Sequence, residues 1–531
     1  MSSSLHKTRE SPGTVAAGHP ATAEAAIATL RMGGNAVDAA IAAQITAFIA
    51  EPVLTSAGGG GFMLVAGKHL KPTLYDGFPR MPYGQVIAGI KAKLKAVEID
   101  FGDKLQTFHI GQGSVAAPSL LAMLFMAHRQ HGKLPLSEVM APGIDAARSG
   151  IRLNALQGSL IELLRPILTD SSSSMTLHAP SGKLRQEGDN FCNRALANTL
   201  EMLHIEGIDE MYHGDLARAI VRSCTPYGLL SMDDMSAEQV QVRKPLSIPL
   251  FSGTLLTNPP PSSGGLLIAY AAILLDQLQG KAELPLLLTE SLHASSLLRH
   301  DHFDRDIYHH DIIAKTLDPA QIAQGCRAII KRLHGETTEV PASETANRHG
   351  STTHISVIDS HGLAVSLTSS NGEGSAIVVP ESGIHLNNML GEADINPLGL
   401  HQLSAGSSLS SMMAPSIFTK AGKPTLVLGS GGSNRLRGAI LQVLTQHLLQ
   451  GKEIEPAIAA PRLHNEGQSV DCEPGALNQQ QHEQLRSMGW SINQWQQKNL
   501  YFGGVHGIAI DCHGHIQAAG DPRRGGVALT A

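Results

Sequence analysis

A chain of 531 residues, 42% hydrophobic and 16% charged, is long enough for a large layered core and has the composition of a soluble globular protein. Its net charge of −6 gives no electrostatic case for binding nucleic acid. Five scattered cysteines match no zinc or disulfide pattern, the first ten residues lack an apolar signal core, and no apolar run reaches spanning length. The expectation is a cytoplasmic protein with no nucleic-acid or membrane partner.

Apolar residues recur at helical spacing from Ala21 to Met32; Gly33-Gly34 ends that helix and Asn35 opens a second. Gly58 to Gly61 then run into an apolar strand ending at Val65. Such a run suits either a phosphate loop or a close backbone crossing, and the lack of a following Lys-Ser/Thr favours the crossing. Arg80 sits between Pro79 and Pro82, and a helix is predicted over Leu136–Arg148. Residues 150–340 read mostly as helices, with a solvated polar break at Thr169–Ser174 and an apolar helix over Leu266–Leu278. Between Arg299 and Asp311, histidines and carboxylates recur at three- and four-residue spacing, which suits either a metal site or a helix surface. Glu344–Gly350 reads as a surface loop.

Beyond that loop two runs alternate in polarity with period two, Thr353–Asp359 and Leu363–Thr368, separated by Ser360-His361-Gly362. This is a hairpin pattern. Thr352 therefore stands where an exposed loop enters a core strand. A hydroxyl there is ordinarily a cap or a strand former. It can also attack the Ser351 carbonyl and be left as a new N-terminus whose α-amine serves as base. Farther on, Ile377–Asn388 reads as strand, turn and strand, and the paired Ser410 and Ser411 precede an apolar strand. Leu426–Arg435 reads as a strand, a glycine-rich turn and the start of a helix over 434–449. Backbone N–H groups at such a turn can face a phosphate or a developing oxyanion.

The stretch Thr352-Thr-His-Ile-Ser-Val-Ile-Asp359, followed by Gly362 and Ala364-Val-Ser-Leu-Thr368, resembles the γ-glutamyltranspeptidase signature. The likeness also takes in Gly33-Gly-Asn-Ala-Val-Asp-Ala-Ala40 and its glycine run, Asn258–Gly265, Ile377–Asn388 and Asp521–Gly526. The resemblance implies a four-layer αββα sandwich of the N-terminal-nucleophile hydrolase type, built by both pieces of a self-cleaved precursor. Residues 1–351 would be the large subunit and 352–531 the small one, with the cut between Ser351 and Thr352. It further implies Thr352 as nucleophile, Gly431 and Gly432 as oxyanion donors, and Ser370 as the hydroxyl that orients the nucleophile. Arg80 would grip the substrate carboxylate, and Asn371, Glu392, Ser410 and Ser411 would hold the donor's carboxylate and amine. The implied activity is transfer or hydrolysis of glutathione and other γ-glutamyl amides, with water, an amino acid or a peptide as acceptor and no cofactor or metal. The Arg299–Asp311 stretch then becomes a helix without a metal.

The chain departs from the family pattern in two places. The segment after the hairpin is shortened, and Met389 and Glu392 stand where the family often has glutamine and aspartate. Met389 loses a hydrogen bond and Glu392 carries its charge on a longer arm, which opens the question of donor specificity. The alternatives are an amidase for glutaryl or other acyl amides on the same fold, and an unprocessed homologue that only binds.

Overall fold

The computed structural model describes residues 11–84, 92–100, 105–337, 339–340, 351–433 and 435–531. The expected surface loop at Glu344–Gly350 lies outside them. Two antiparallel sheets stack face to face. The larger runs in the order Val527–Thr530, Gly13–Ala17, Thr353–Asp359, Ala364–Ser370, Gly60–Gly67, Leu70–Gly77, Gln241–Arg243. The smaller runs Ile516–Ala519, Gly504–Ile510, Lys423–Gly431, Ser416–Lys420, Gly253–Thr257, Leu246–Leu250. Helices Pro20–Arg31, Ala36–Ala50 and Leu120–His131 cover the outer face of the first sheet. Helices Ser263–Gln277, Arg435–Leu448 and Ile454–Ala459 cover the second. This is the expected αββα sandwich; strands from the two sides of the 351/352 bond interleave in the larger sheet and share the smaller one, where Gly253–Thr257 and Leu246–Leu250 form one edge. Among the described residues no helix is long and apolar enough to cross a membrane.

The helix Ala36–Ala50 is buried along its whole length, because it lies between the sheet and the helices outside it. Its start is fixed by a reciprocal cap: Asn35 Oδ1 accepts from the Asp38 amide at 3.0 Å, and Asp38 Oδ2 accepts from the Asn35 amide at 3.0 Å. Such caps contribute about 1 kcal/mol. The glycine run ahead of strand Gly60–Gly67 proves to be a close crossing. A Cβ at Gly59 or Gly61 would strike the backbone of Ser370 or Thr368 on the neighbouring strand.

The alternation in Thr353–Asp359 and Ala364–Ser370 does not separate core from solvent, since both strands are buried throughout. Ile355, Val357, Val365 and Leu367 enter the apolar core under the first helices. His354, Ser356, Ser366 and Thr368 are buried too, and their hydrogen bonds reach the other sheet or one another. Ser356 Oγ donates to the His506 carbonyl at 3.1 Å; Ser366 Oγ donates to the Leu428 carbonyl at 3.0 Å and accepts from the Ser416 amide at 3.0 Å. Hydrogen bonding is what makes polar side chains tolerable there.

Four local expectations change. The polar break at Thr169–Ser174 is half helix, Ser172–His178, because Ser171 Oγ caps the Ser174 amide at 3.1 Å. The helical reading of 150–340 passes over strands Gln241–Arg243, Leu246–Leu250 and Gly253–Thr257, which are too short for periodicity to reveal. Ile377–Asn388 pairs through one bridge, Val378 with His385, flanked by two backbone hydrogen bonds of 2.9 Å, rather than forming two strands. Arg299–Phe303 is a wide π turn that breaks the regular helix spacing. No group of three His, Cys, Asp or Glu side chains among the described residues is arranged to hold a metal ion.

Candidate active site

Thr352 is the residue before the central strand Thr353–Asp359, and strand pairing on both sides fixes its position. Ser351 and Thr352 are 6% and 5% exposed, so the bond between them is nearly closed to bulk water. Ser351 is gripped at three atoms. Its amide donates to Glu373 Oε1 at 3.0 Å, its hydroxyl donates to Glu373 Oε2, and its carbonyl accepts from Ser370 Oγ. Ser370 Oγ in turn accepts from the Gly372 amide at 2.9 Å, and the Glu373 amide donates to Asn388 Oδ1 at 2.9 Å. On the next residue, Thr353 Oγ1 donates to Glu51 Oε2 at 2.6 Å, and Thr22 Oγ1 donates to Glu51 Oε1 at 3.1 Å.

Burial pushes the Glu51 and Glu373 carboxyls up to about 7 each, with threonine or serine hydroxyls and the charge of Arg524 pulling the other way. Burial brings Arg524 down to about 10 against the attraction of Asp521, Glu373 and Glu51. Glu392 rises well above the carboxylate range, first through burial and then through the neighbouring Glu373 and Asp394. Its Oε1 is buried and meets no hydrogen-bond partner among the described residues. An acid so placed is a candidate for holding a cation brought by a ligand.

Two pockets flank Ser351. The first, of about 410 Å³, brings together Thr352, Ser370, Glu392 and Ser411 from the predicted set, with Met389, Met412, Met413 and Asp394. The second, of about 430 Å³, holds Gly432 with Glu373, Arg435, Tyr501 and Arg524. Gly431 ends its strand where a Cβ would strike the Thr352 carbonyl oxygen and come within 3.2 Å of Arg524 Nη1. Gly432 has φ +119°, a conformation that favours glycine. Ser411 Oγ accepts from the Met413 amide at 3.1 Å, while Ser410 is buried with its amide on the Ile395 carbonyl at 3.2 Å. Asn371 is buried beside Glu373, its Oδ1 without a partner among the described residues. Arg80 lines neither pocket; it is half-buried, bridged through its backbone to Ser408, and its charge acts on Asp76.

Glu51 and Glu373 are charged groups that no sequence motif singles out, and Arg524 lies in the family-like stretch Asp521–Gly526 with no role assigned to it there. The signals available are faint: an acid closing a nearly uncharged helix, an acid just past the hairpin, and the arginine pair in Asp521-Pro-Arg-Arg-Gly-Gly.

Relatives fit this geometry. A glutathione hydrolase proenzyme of Pseudomonas aeruginosa is 29% identical, over 97% of this chain and 94% of its own length. An acylase ACY 1 proenzyme from a Pseudomonas species is 26% identical, over 96% of this chain and 92% of its own. The crystal structure of a cephalosporin acylase from Bacillus halodurans superposes with a TM-score of 0.83 at 22% identity, covering 100% of this chain and 98% of that one, so the fold is the same. The Gamma-glutamyltranspeptidase family model matches residues 22–531, and the chain belongs to that family.

Proposed function

We propose that the chain is the precursor of a γ-glutamyl hydrolase and transferase that cuts itself between Ser351 and Thr352. Thr352 Oγ attacks the Ser351 carbonyl, the acyl group moves from nitrogen to oxygen, and water releases residues 1–351 from residues 352–531. The bared α-amine has a reference pKa of about 7.7–8 and is matched to proton transfer near neutral pH. Thr352 then takes the acyl group of glutathione or another γ-glutamyl amide, with the Gly431 and Gly432 amides facing the oxyanion. Water, an amino acid or a peptide removes the acyl group. Glu392 in the pocket beside Thr352 suits the donor's ammonium; Asn371, Ser410, Ser411 and Arg80 are assigned to its carboxylate and amine. Five free cysteines support a cytoplasmic location.

One observation carries the reading: a buried threonine at the head of a central strand, with a hydroxyl, Ser370, on the carbonyl it would attack. The first test is the N-terminal residue of the small fragment, expected to be Thr352; T352A should leave one uncut, inactive chain. Cleavage elsewhere, or normal turnover by an uncut chain, refutes the reading. A second reading, an amidase for glutaryl or similar acyl groups, draws on Met389, Met412 and Met413 in the same pocket and on the acylase relative. Side-by-side turnover of γ-glutamyl and glutaryl anilides separates the two.

A further inference from the structure

We propose that Glu373 is the positioning residue of maturation: its carboxylate holds Ser351 in place for the cut and drives the new carboxyl terminus away afterwards. The inference rests on the self-cleavage proposed above and adds a residue to it. Among the described residues, both Glu373 oxygens make their hydrogen bonds to Ser351, one to its amide and one to its hydroxyl. With Ser370 on the carbonyl, these contacts fix Ser351 at three points, so the plane of the scissile peptide is set relative to Thr352. Orientation of this kind is a large part of what accelerates an intramolecular attack. A fully buried carboxylate is costly unless paired, and here both oxygens are matched to a residue that cleavage sets free.

In the cut itself, Thr352 Oγ bonds to the Ser351 carbonyl carbon, the C–N bond breaks, and the hydroxyl proton passes to the nitrogen. Water then splits the ester, returning the hydroxyl to Thr352 and leaving a carboxylate on Ser351, with one proton released. That carboxylate forms beside Glu373, between a pocket that holds Asp394 and one that Arg524 also lines; Glu392, its carboxyl raised well above the usual range by burial, does not count as a charge. Like charges in a closed site repel strongly, so the terminus that Glu373 held before the cut is pushed out after it. Ser351 lines both pockets. Its departure joins them into one cleft, with Glu392 and Asp394 on one side and Glu373, Arg435 and Arg524 on the other.

The test tracks cleavage of the full chain on denaturing gels and then turnover of a γ-glutamyl anilide per cleaved molecule. E373A, which removes both acceptors, should slow cleavage at least about tenfold. E373Q keeps an acceptor for the Ser351 amide and should cleave within about threefold of the unsubstituted rate. Its amide can then hydrogen-bond the new carboxylate in place of repelling it, so the terminus competes with substrate and KM rises about fivefold or more with kcat retained. E373A maturing on time, E373Q slowed as much as E373A, or cleaved E373Q with an unchanged KM each overturn the assignment. If E373A yields no folded protein, the E373Q results decide alone. An unsubstituted chain that stays whole overturns self-cleavage itself, and this assignment with it.

Discussion

Replacing Ser370 with alanine removes the one side-chain donor that the described residues place on the Ser351 carbonyl, the carbonyl of the proposed cut. In the ground state a hydrogen bond to a neutral carbonyl contributes about 1 kcal/mol. As Thr352 attacks, the Ser351 oxygen gains negative charge in a site almost closed to water, and the same hydroxyl becomes an oxyanion donor. Losing one such donor costs about 2.7–4 kcal/mol, which slows the step by about a hundred- to a thousandfold. There is a second consequence, since the Gly372 amide loses its 2.9 Å acceptor. An orphaned buried donor costs about 1–3 kcal/mol of stability, so S370A should also melt earlier. S370T keeps the hydroxyl and should recover most of the cleavage rate. The assay is the time course of the fragment beginning at Thr352, with the melting midpoint as a check on folding. S370A that folds and cleaves within about fivefold of the unsubstituted rate would falsify the role given to this hydroxyl.

Stability should rise from pH 4 to about 6.5 and then level off or fall. Burial drives His19, His293, His385 and His506 down to about 4 and holds His178 and His354 well below their usual value. These six stay neutral in the fold while the unfolded chain takes up protons below 6.5, so the stability they contribute at high pH is lost as pH falls. Glu51 and Glu373, raised from 4.5 to about 7, act in the opposite direction, and stability falls as pH rises between those values. Glu392 and Asp76, raised by burial, act with these two acids, and His131 and His401, lowered by burial, act with the other histidines, so eight groups oppose four, each contributing up to about 1.4 kcal/mol per pH unit where it titrates differently in the two states. A melting midpoint that is flat or falling over pH 4.5–6.5 contradicts this sum. E392Q should raise KM for a γ-glutamyl anilide about tenfold and leave a glutaryl anilide, which has no ammonium, within about twofold. In the unsubstituted enzyme kcat/KM for the γ-glutamyl compound should rise with pH as Glu392 gives up its proton; equal effects of E392Q on both substrates argue against an ammonium site. G432A puts a side chain at φ +119° and 3.2 Å from Arg524 Nη2, so about 1–3 kcal/mol of strain should slow cleavage tenfold or more.

The hairpin that carries the proposed nucleophile is readable because its signals are local. A period of two, a Ser-His-Gly turn and a hydroxyl at the strand's entry all lie within the span Thr352–Thr368. The same pattern misleads about surroundings, because a polar face packed against a second sheet alternates as a solvated one does; only pairing such as Ser356 with His506 distinguishes them. The charges that set the site's electrostatics have no such signature. Thr353 meets Glu51 across 302 positions, and Arg524 acts on acids from opposite ends of the chain. A proline-flanked arginine, Arg80, attracts notice by its neighbours, whereas Arg435 and Arg524 line a pocket because a helix start and the C-terminal turn converge there. The same distribution of charge decides whether the two pieces stay together once the 351/352 bond is cut. Glu51 would belong to the large piece, and Thr353, Glu373 and Arg524 to the small one. Separating the pieces would strip buried Glu51 of its Thr353 hydrogen bond and of the nearby Arg524 charge and would break strand pairing between the pieces in both sheets, so cleavage would free the proposed nucleophile without freeing the fragments from each other.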